Sequence, residues 1–532
     1  MEDGGAEFTW EYADPGKLLP LLIDESPVLS DIFARAVSEH RPTLQNPWDV
    51  IITFDEFCPG NKLRVDNRRK CMNLCMSFKQ LGQAAVSQNW VWMNPVCLRS
   101  SVIRLIRGGW SHCMRQFLRH VMLGPIGLST VGVPITLKGQ QPMLLYAKLG
   151  MILSDGDGLR QVYDWTGSAS LRPCLQHYNI WKRDSDIASR SAGHHEITCH
   201  DDTAFLSHSS GELSQICDML LGAKTRMESG EMTRVRFERL ELINGLNTNP
   251  FGMLFDPTLR EHMDLLACLR FDWMHNLLQD GILVHEVFFF LRSCGVPSAN
   301  LRDFLRDERW TFPLAARRKS SNLHMVFDDY RSRLSDEHDK LKANASEVLG
   351  LYGMLRHYVS MYVPDDPTIS AKRDSWNKLC ECMDIILLTK RGIIAPDVGA
   401  EQLRLATMSH LRLHKIAYGT RGVKPKNHWQ THVPSQIRTD GIVFDAFLIE
   451  RCHVLVKSIA DNVKTQQHFE RSVLAGVLNV QMRHAQHAND VTGLRGRSVL
   501  LPGFRDVHLA DRLDYYTLQV HTYGEANISE RE

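Results

Sequence analysis

Val50-Ile51-Ile52-Thr53-Phe54 most restricts what this chain can fold into. It is an unbroken β-branched and aromatic run, closed by Asp55 and followed by the turn-forming residues Cys58-Pro59-Gly60-Asn61. Such a run reads as a buried strand. Leu74 to Leu81 and Trp90 to Met93 read as two further strands, and Ser100 to Leu123 as an amphipathic helix interrupted at Gly108-Gly109. After Gly132-Val133-Pro134, the run Met143 to Leu153 predicts another buried strand, ending at Ser154-Asp155-Gly156-Asp157-Gly158. Two strands thus end on acids with a helix between them, an order that can set Asp55 and Asp155 side by side on one sheet. Ahead of the first strand, Leu18 to His40 has apolar residues at helical spacing and predicts one or two docking helices.

From about residue 186 to 421 the strand signal largely disappears. Leu213 to Met227, Leu259 to Leu278, Leu323 to Tyr362 and Ser375 to Lys390 read as helices, with no fixed-period repeat that would make a solenoid. Gly422 to Lys457 and a helix over Gln467 to Ala485 follow, then a loop-rich end. The 532 residues, 43% hydrophobic, can bury a sizeable core in more than one domain. Lys and Arg number 62 against 61 Asp and Glu, so contact with nucleic acid would come from local basic clusters. Arg64 to Lys70, Arg99 to Arg119, Arg317 to Lys319 and Arg421 to Lys426 are the candidates.

The 13 cysteines are scattered and odd in number, which points to a reducing, intracellular setting. The acidic, polar N-terminus carries no secretory signal. The longest apolar run, Gly281 to Leu291, is too short for a membrane span and contains His285 and Glu286.

Paired carboxylates at adjacent strand ends can hold Mg²⁺. With Glu450 added, three acids could hold two divalent ions that activate an attacking oxygen and stabilise a leaving oxygen of a phosphodiester. An aspartate after a strand also serves as a turn residue or helix cap. On its helix, Glu450 lies off the apolar stripe of Phe444, Leu448, Cys452, Leu455 and Ile459, as a solvated charge or as a carboxylate aimed at a cleft. Cys174-Leu-Gln-His177 and His428-Trp-Gln-Thr-His432 each place two ligands of the kind zinc takes within one turn, and together they suit a closed four-ligand site. Among 24 histidines one H-x-x-x-H arises by chance, so the weight lies in the joint order of acid, acid, Cys-x-x-His, helical block, His-x-x-x-His, acid.

That order resembles the cut-and-paste DDE transposases of the Kyakuja-Dileera-Zisupton type, related to the CACTA, Transib and hAT elements and to the V(D)J recombinase core. The carrying stretches are ITFDEFCPGNK around Asp55, LSDGDGLRQVYDWTGSASLRPCLQH from Asp155 to His177, and KPKNHWQTHVPSQIRTDGIVFDAFLIER from His428 to Glu450. Asp272-Trp273-Met274-His275 is similar to the D-x-M-H of the family's helical insertion.

The resemblance covers roughly residues 48 to 480. It implies an α/β RNase H-like catalytic domain, a mixed sheet flanked by helices, interrupted by a large all-α insertion. The implied segments are an N-terminal helical segment (1–45), the first part of the RNase H-like domain (46–185), the insertion (186–421), the second part (422–485) and a C-terminal tail (486–532). It implies a transposase that cleaves DNA and transfers strands using Mg²⁺ or Mn²⁺ on Asp55, Asp155 and Glu450. Zn²⁺ on Cys174, His177, His428 and His432 would fasten the two parts of the split domain.

A nuclear location, DNA ends and target as partners, no membrane, and a homodimer or higher oligomer follow by the same analogy. His177 stands where the family more often has cysteine, and Glu56 and Asp157 lie close enough to compete with Asp55 and Asp155. No DNA-binding module is recognisable ahead of Asp55, so specific end recognition is expected from the insertion, the tail or a partner. The alternatives are a domesticated or inactive derivative acting as a DNA- or protein-binding module, and an RNase H-fold nuclease without strand transfer.

Overall fold

A computed structural model describes residues 9–60, 69–168, 170–182, 193–306, 323–328, 339–465 and 467–488. The basic cluster Arg317 to Lys319, most of Arg64 to Lys70, and nearly all of the tail from 486 lie outside the described residues. The chain divides into two compact units. The first comprises Met1–Trp273, Ile386–Met408 and Val423–Ala488; the second, among its described residues, comprises Met274–Ile385 and Ser409–Gly422. The first is mixed α/β and holds a five-stranded sheet. The second is helical.

The sheet strands are β1 (Trp48–Phe57), β2 (Cys71–Phe78), β3 (Met93–Arg99), β4 (Ala147–Ser154) and β5 (Leu269–Phe271), in spatial order β3-β2-β1-β4-β5. β1 pairs antiparallel with β2 (Phe57 opposite Cys71), and β2 pairs antiparallel with β3 (Cys71 opposite Arg99). On its other side β1 runs parallel to β4, with Thr53 beside Leu153, and β4 runs parallel to β5, with Ser154 beside Phe271. Every residue of β2 is buried, which is why its sequence is an almost continuous apolar run with no alternation.

The helices used below are α1 (Pro15–Glu25), α2 (Pro27–Glu39), α3 (Gly109–Leu123), α4 (Gly156–Val162), α5 (Ser210–Glu228), α6 (Ile282–Ser293), α7 (Ala345–Tyr362), α8 (Ser370–Lys390), α9 (Pro396–Tyr418), α10 (Val433–Asp440), α11 (Phe447–Ala460) and α12 (Phe469–Gln486). One sheet face receives α11 and α12: Val456, Ala460, Phe469, Val473 and Val477 pack on Phe57, Cys71 and Cys97. Toward α3, Phe54 meets Trp110, their ring centroids 5.8 Å apart. Because strand side chains alternate faces, Asp55 shares the face of Phe57, toward α11, and not that of Phe54. No single helix among the described residues is long and apolar enough to cross a membrane. The run Gly281 to Leu291 lies almost wholly in α6, whose residues Ile282 to Leu291 are all buried within the protein.

Four expectations need correction. The segment 186–421 is not all-helical: β5 lies inside it and pairs with β4, and both residues 193–273 and Ile386–Met408 belong to the sheet unit. The predicted helix Leu259 to Leu278 is instead two short helices, the strand β5 and a further helical turn. A three-residue strand is too short to show a period of two. It is held by packing and by Arg270, whose guanidinium makes paired hydrogen bonds of 2.7 and 2.9 Å to Asp440.

The second correction concerns β2 and β3, which start three residues before and after the predicted positions. Pro95, which argues against a strand in sequence, is tolerated because β3 is the sheet edge. The third is the predicted strand Met143 to Leu153. It divides into Met143–Leu145, paired with Val133–Ile135 in a separate ribbon, and β4. Fourth, the apolar stripe of α11 is Leu448, Ile449, Cys452, Val456 and Ala460, rotated from the predicted one because Val456 and Ala460 pack into the core with Phe57, Cys71 and Cys97, while Ile459 is only partly buried against it.

Beyond α4, Asp164 ties three segments together. Its Oδ1 accepts from Asn249 Nδ2 at 2.8 Å and its Oδ2 lies 2.6 Å from Ser111 Oγ. Ser111 also lies 2.7 Å from the Val162 carbonyl and accepts from Met253 N. The single Ser111 hydroxyl proton is shared between that carbonyl and Asp164 Oδ2. Burial, partly offset by these hydrogen bonds, raises the Asp164 carboxyl to about 7.

Between the unfolded value near 4 and about 7 the folded state binds the extra proton, so stability falls as pH rises through that window. Asp164→Asn presents an N–H to Ser111 and keeps the acceptor for Asn249, and asparagine tolerates the observed φ of 50°. Denaturation across pH 4 to 8 should show the variant gaining on wild type as pH rises, by about 4 kcal/mol at pH 8. A pH-independent difference would show that Asp164 is ionised throughout.

Candidate functional site

Asp55 and Asp155 stand at the carboxyl ends of the neighbouring parallel strands β1 and β4. Backbone N–H groups orient both. Asp55 Oδ1 accepts from Glu56 N at 2.6 Å, and Asp155 Oδ1 accepts from Gly158 N at 2.6 Å while capping α4. The cap reading and the paired-carboxylate reading of Asp155 therefore hold together, since a cap uses one oxygen of two. The competing acids are engaged elsewhere: Glu56 pairs with Lys70 and accepts from Ser100, and exposed Asp157 bonds Arg160 at 2.8 Å and Gln161 at 3.0 Å.

Glu450 lies in the first turn of α11, partly buried and off the core stripe. One turn further on, His453 Nδ1 is 3.7 Å from Asp55 Oδ2, and its ring packs against Phe57 at 5.4 Å between centroids. Residues three apart share a helix side, so α11 turns the side that carries Glu450 toward the end of β1. Burial lowers His453 to about 4, which keeps it neutral at ordinary pH.

The start of α11 is fixed from β5. Asp272 is buried and accepts from the backbone N of Ala446 at 3.1 Å, serving the helix whose own N-cap residue offers no side-chain acceptor. The helix start that Asp272 serves in this way is 174 residues away in sequence. His453 was missed altogether. Its signal was its place three residues after Glu450.

Asp55, Asp155 and Glu450 are not among the groups whose donor atoms all lie within 4.8 Å of one another. Two ions about 3.5 to 4 Å apart, each bonded at about 2.1 Å, reach ligands spread over about 8 Å, so mutual contact is not required of a two-ion site.

Cys174, His177, His428 and His432 do meet: their ligand atoms all lie within 4.8 Å of one another. His177 Nδ1 is 3.1 Å from His428 Nε2, and Cys174 Sγ is 3.3 Å from His432 Nε2. Ligands around a tetrahedral zinc, at about 2.0 to 2.3 Å from it, sit about 3.3 to 3.8 Å apart. The first pair is held by a tight turn in which His177 N donates to Cys174 Sγ at 3.2 Å, favouring a thiolate. The second is held by the helix Pro425–Trp429 running through the turn Gln430–His432 into α10, which keeps residues four apart on one side.

Phe205 and Phe271 line the cluster with rings, Phe205 at 5.0 Å from His177 and Phe271 at 4.9 Å from His432. Burial lowers His177 to about 4, pushes His428 and His432 well below the ordinary histidine range, and raises the Cys174 thiol to about 12. Neutral imidazoles converge their lone pairs with a sulfur in a dry pocket, a donor set that fits a metal ion.

Trp429 joins this cluster to the carboxylates. Its Nε1 donates to the Pro173 carbonyl at 2.6 Å, it stacks on Phe271, and it covers Gly156, the residue after Asp155. Of the basic cluster Arg99 to Arg119, Arg99 is bonded to Glu470, and Arg115 and Arg119 both reach Asp256. No family model and no curated protein matches the chain.

A Cβ on Gly156 would stand 2.6 Å from the Trp429 ring. Gly156→Ala should therefore cost about 1 to 3 kcal/mol in chemical denaturation, and the cost should shrink in a Trp429→Leu background. Equal cost in both backgrounds would mean that the ring is not what excludes a side chain there.

Proposed function

We propose that this chain is a DDE-type polynucleotidyl transferase, a DNA transposase by the resemblance of its motifs, with an RNase H-like core. The observation that carries the reading is the pairing of Asp55 and Asp155 on neighbouring parallel strands, with α11 packed so that the side bearing Glu450 and His453 turns toward Asp55. An antiparallel three-strand meander extended by two parallel strands agrees with that core.

Mg²⁺ or Mn²⁺, when bound, would supply Lewis acidity to the oxygens of a phosphodiester. The protein's part is positioning. Glu56 N–H and Gly158 N–H each fix one oxygen of an aspartate and so the direction of the other. His453, neutral, packs against Asp55 without cancelling its charge. Asp272 holds the start of the helix that carries Glu450. A structural zinc on Cys174, His177, His428 and His432 would clamp the segment after β4 to the segment before α11, and metal binding would then be folding energy.

One observation favours a second reading, a transposase-derived module that binds protein rather than DNA: Arg99, Arg115 and Arg119 are spent on internal carboxylates instead of being offered to phosphates. Supercoiled plasmid with Mn²⁺ separates the two. The transferase should nick it, and Asp55→Asn or Asp155→Asn should lower the rate at least about 100-fold while DNA binding persists. Absence of nicking by the wild-type chain selects the module, and unchanged nicking in both variants removes these acids from the site. Separately, the purified chain should carry zinc that Cys174→Ser or His432→Ala releases, with a loss of several kcal/mol of stability. Zinc content indifferent to both substitutions would remove the clamp.

A further inference from the structure

The helical unit contains a second convergence of metal-ligating side chains, which the site above does not use. Glu286 lies in the middle of α6, within the longest apolar run of the chain, and is 0% exposed. His410 and His414, four residues apart on α9, direct ring nitrogens at one of its oxygens: His410 Nε2 is 2.6 Å and His414 Nδ1 3.2 Å from Glu286 Oε2. All three residues are buried, and their donor atoms lie within 4.8 Å of one another.

We propose that Glu286, His410 and His414 form a divalent transition-metal site that binds α6 to the carboxyl-terminal part of α9. A carboxylate sealed among apolar side chains needs a compensating cation. No Lys or Arg forms an ion pair with Glu286 among the described residues, and its ion-pair partners are the two imidazoles. The Nε2 of His414 donates to the carbonyl oxygen of Arg421 at 3.1 Å, which turns Nδ1 toward Glu286, where the neutral ring would offer its lone pair to an ion.

The other carboxylate oxygen, Glu286 Oε1, accepts from Ser375 Oγ of α8 at 2.7 Å. Glu286 Oε1 and His414 Nε2, both facing outward, thus have hydrogen-bond partners, as outer-shell groups do around bound metals, while two ring nitrogens and one oxygen converge on a single inner point. Two nitrogens and one carboxylate with no thiolate suit zinc or another borderline divalent ion, in contrast to the sulfur-containing cluster of the sheet unit. The motif was visible as a second H-x-x-x-H, but its acid lies 124 residues upstream on another helix.

Metal analysis of the purified full-length chain tests this. Zinc should be present at about two equivalents, one of which is lost in Glu286→Gln and in His414→Ala and the other in Cys174→Ser. Loading with Co²⁺ distinguishes the two sites without any substitution, because thiolate-to-cobalt charge transfer arises only at Cys174. Cobalt bound at the Glu286 cluster should give ligand-field bands without that absorption, and these should persist in Cys174→Ser. One equivalent of metal with full thiolate charge transfer, or metal content unchanged in folded Glu286→Gln and His414→Ala, would overturn the second site and leave a buried ion pair in its place. One equivalent without thiolate absorption would support it and instead overturn the clamp at Cys174.

Discussion

Parallel pairing of β1 with β4 is the constraint on which the sheet unit depends. Parallel neighbours cannot be joined by a tight turn, so nearly ninety residues, including β2, β3 and α3, must be accommodated before the chain returns beside its first strand. The return sets Asp55 and Asp155 at the same end of adjacent strands, and β5 repeats the manoeuvre with Asp272 at its own end. Three neighbouring strands then end on acids that perform different tasks. Asp55 meets His453, Asp155 caps α4, and Asp272 holds α11 by its first residues. Small changes in what surrounds an aspartate decide whether it is a ligand, a cap or a brace.

The two histidine clusters illustrate a common rule by different means. Each gathers groups that are costly to bury singly, and each lowers that cost by bringing them together. Around Cys174 the imidazoles are neutral and enclosed by aromatic rings, and a backbone N–H favours charge on the sulfur. Around Glu286 a full carboxylate is answered by two imidazoles, a hydroxyl and, beyond them, a backbone carbonyl. In both, helical spacing of four supplies one pair of ligands and a distant segment supplies the rest.

Much of the site was legible because its residues recur at short, chemically meaningful intervals. Cys174 with His177, and His428 with His432, are pairs that one turn of chain brings together, and their ligand atoms lie within 4.8 Å of one another. Legibility failed where long-range packing decides. A three-residue strand has no readable period, so β5 reads as helix in sequence, and the helical unit begins at Met274 and not near residue 186. The stripe of α11 differs from its sequence reading because Val456 and Ala460, inconspicuous in sequence, join the core cluster with Phe57, Cys71 and Cys97.

The sequence by itself determined the local pieces: a β-branched run must be a strand, an Asp before Gly-Asp-Gly must cap or turn, and histidines four apart on a helix must share a side. These follow from backbone stereochemistry and side-chain geometry within a few residues. Only the tertiary structure decided which pieces meet. That His453 faces Asp55, that Asp272 caps a helix far downstream, and that Glu286 receives both imidazoles on one oxygen are outcomes of packing, which sums weak contacts over the whole chain. No local window contains that sum.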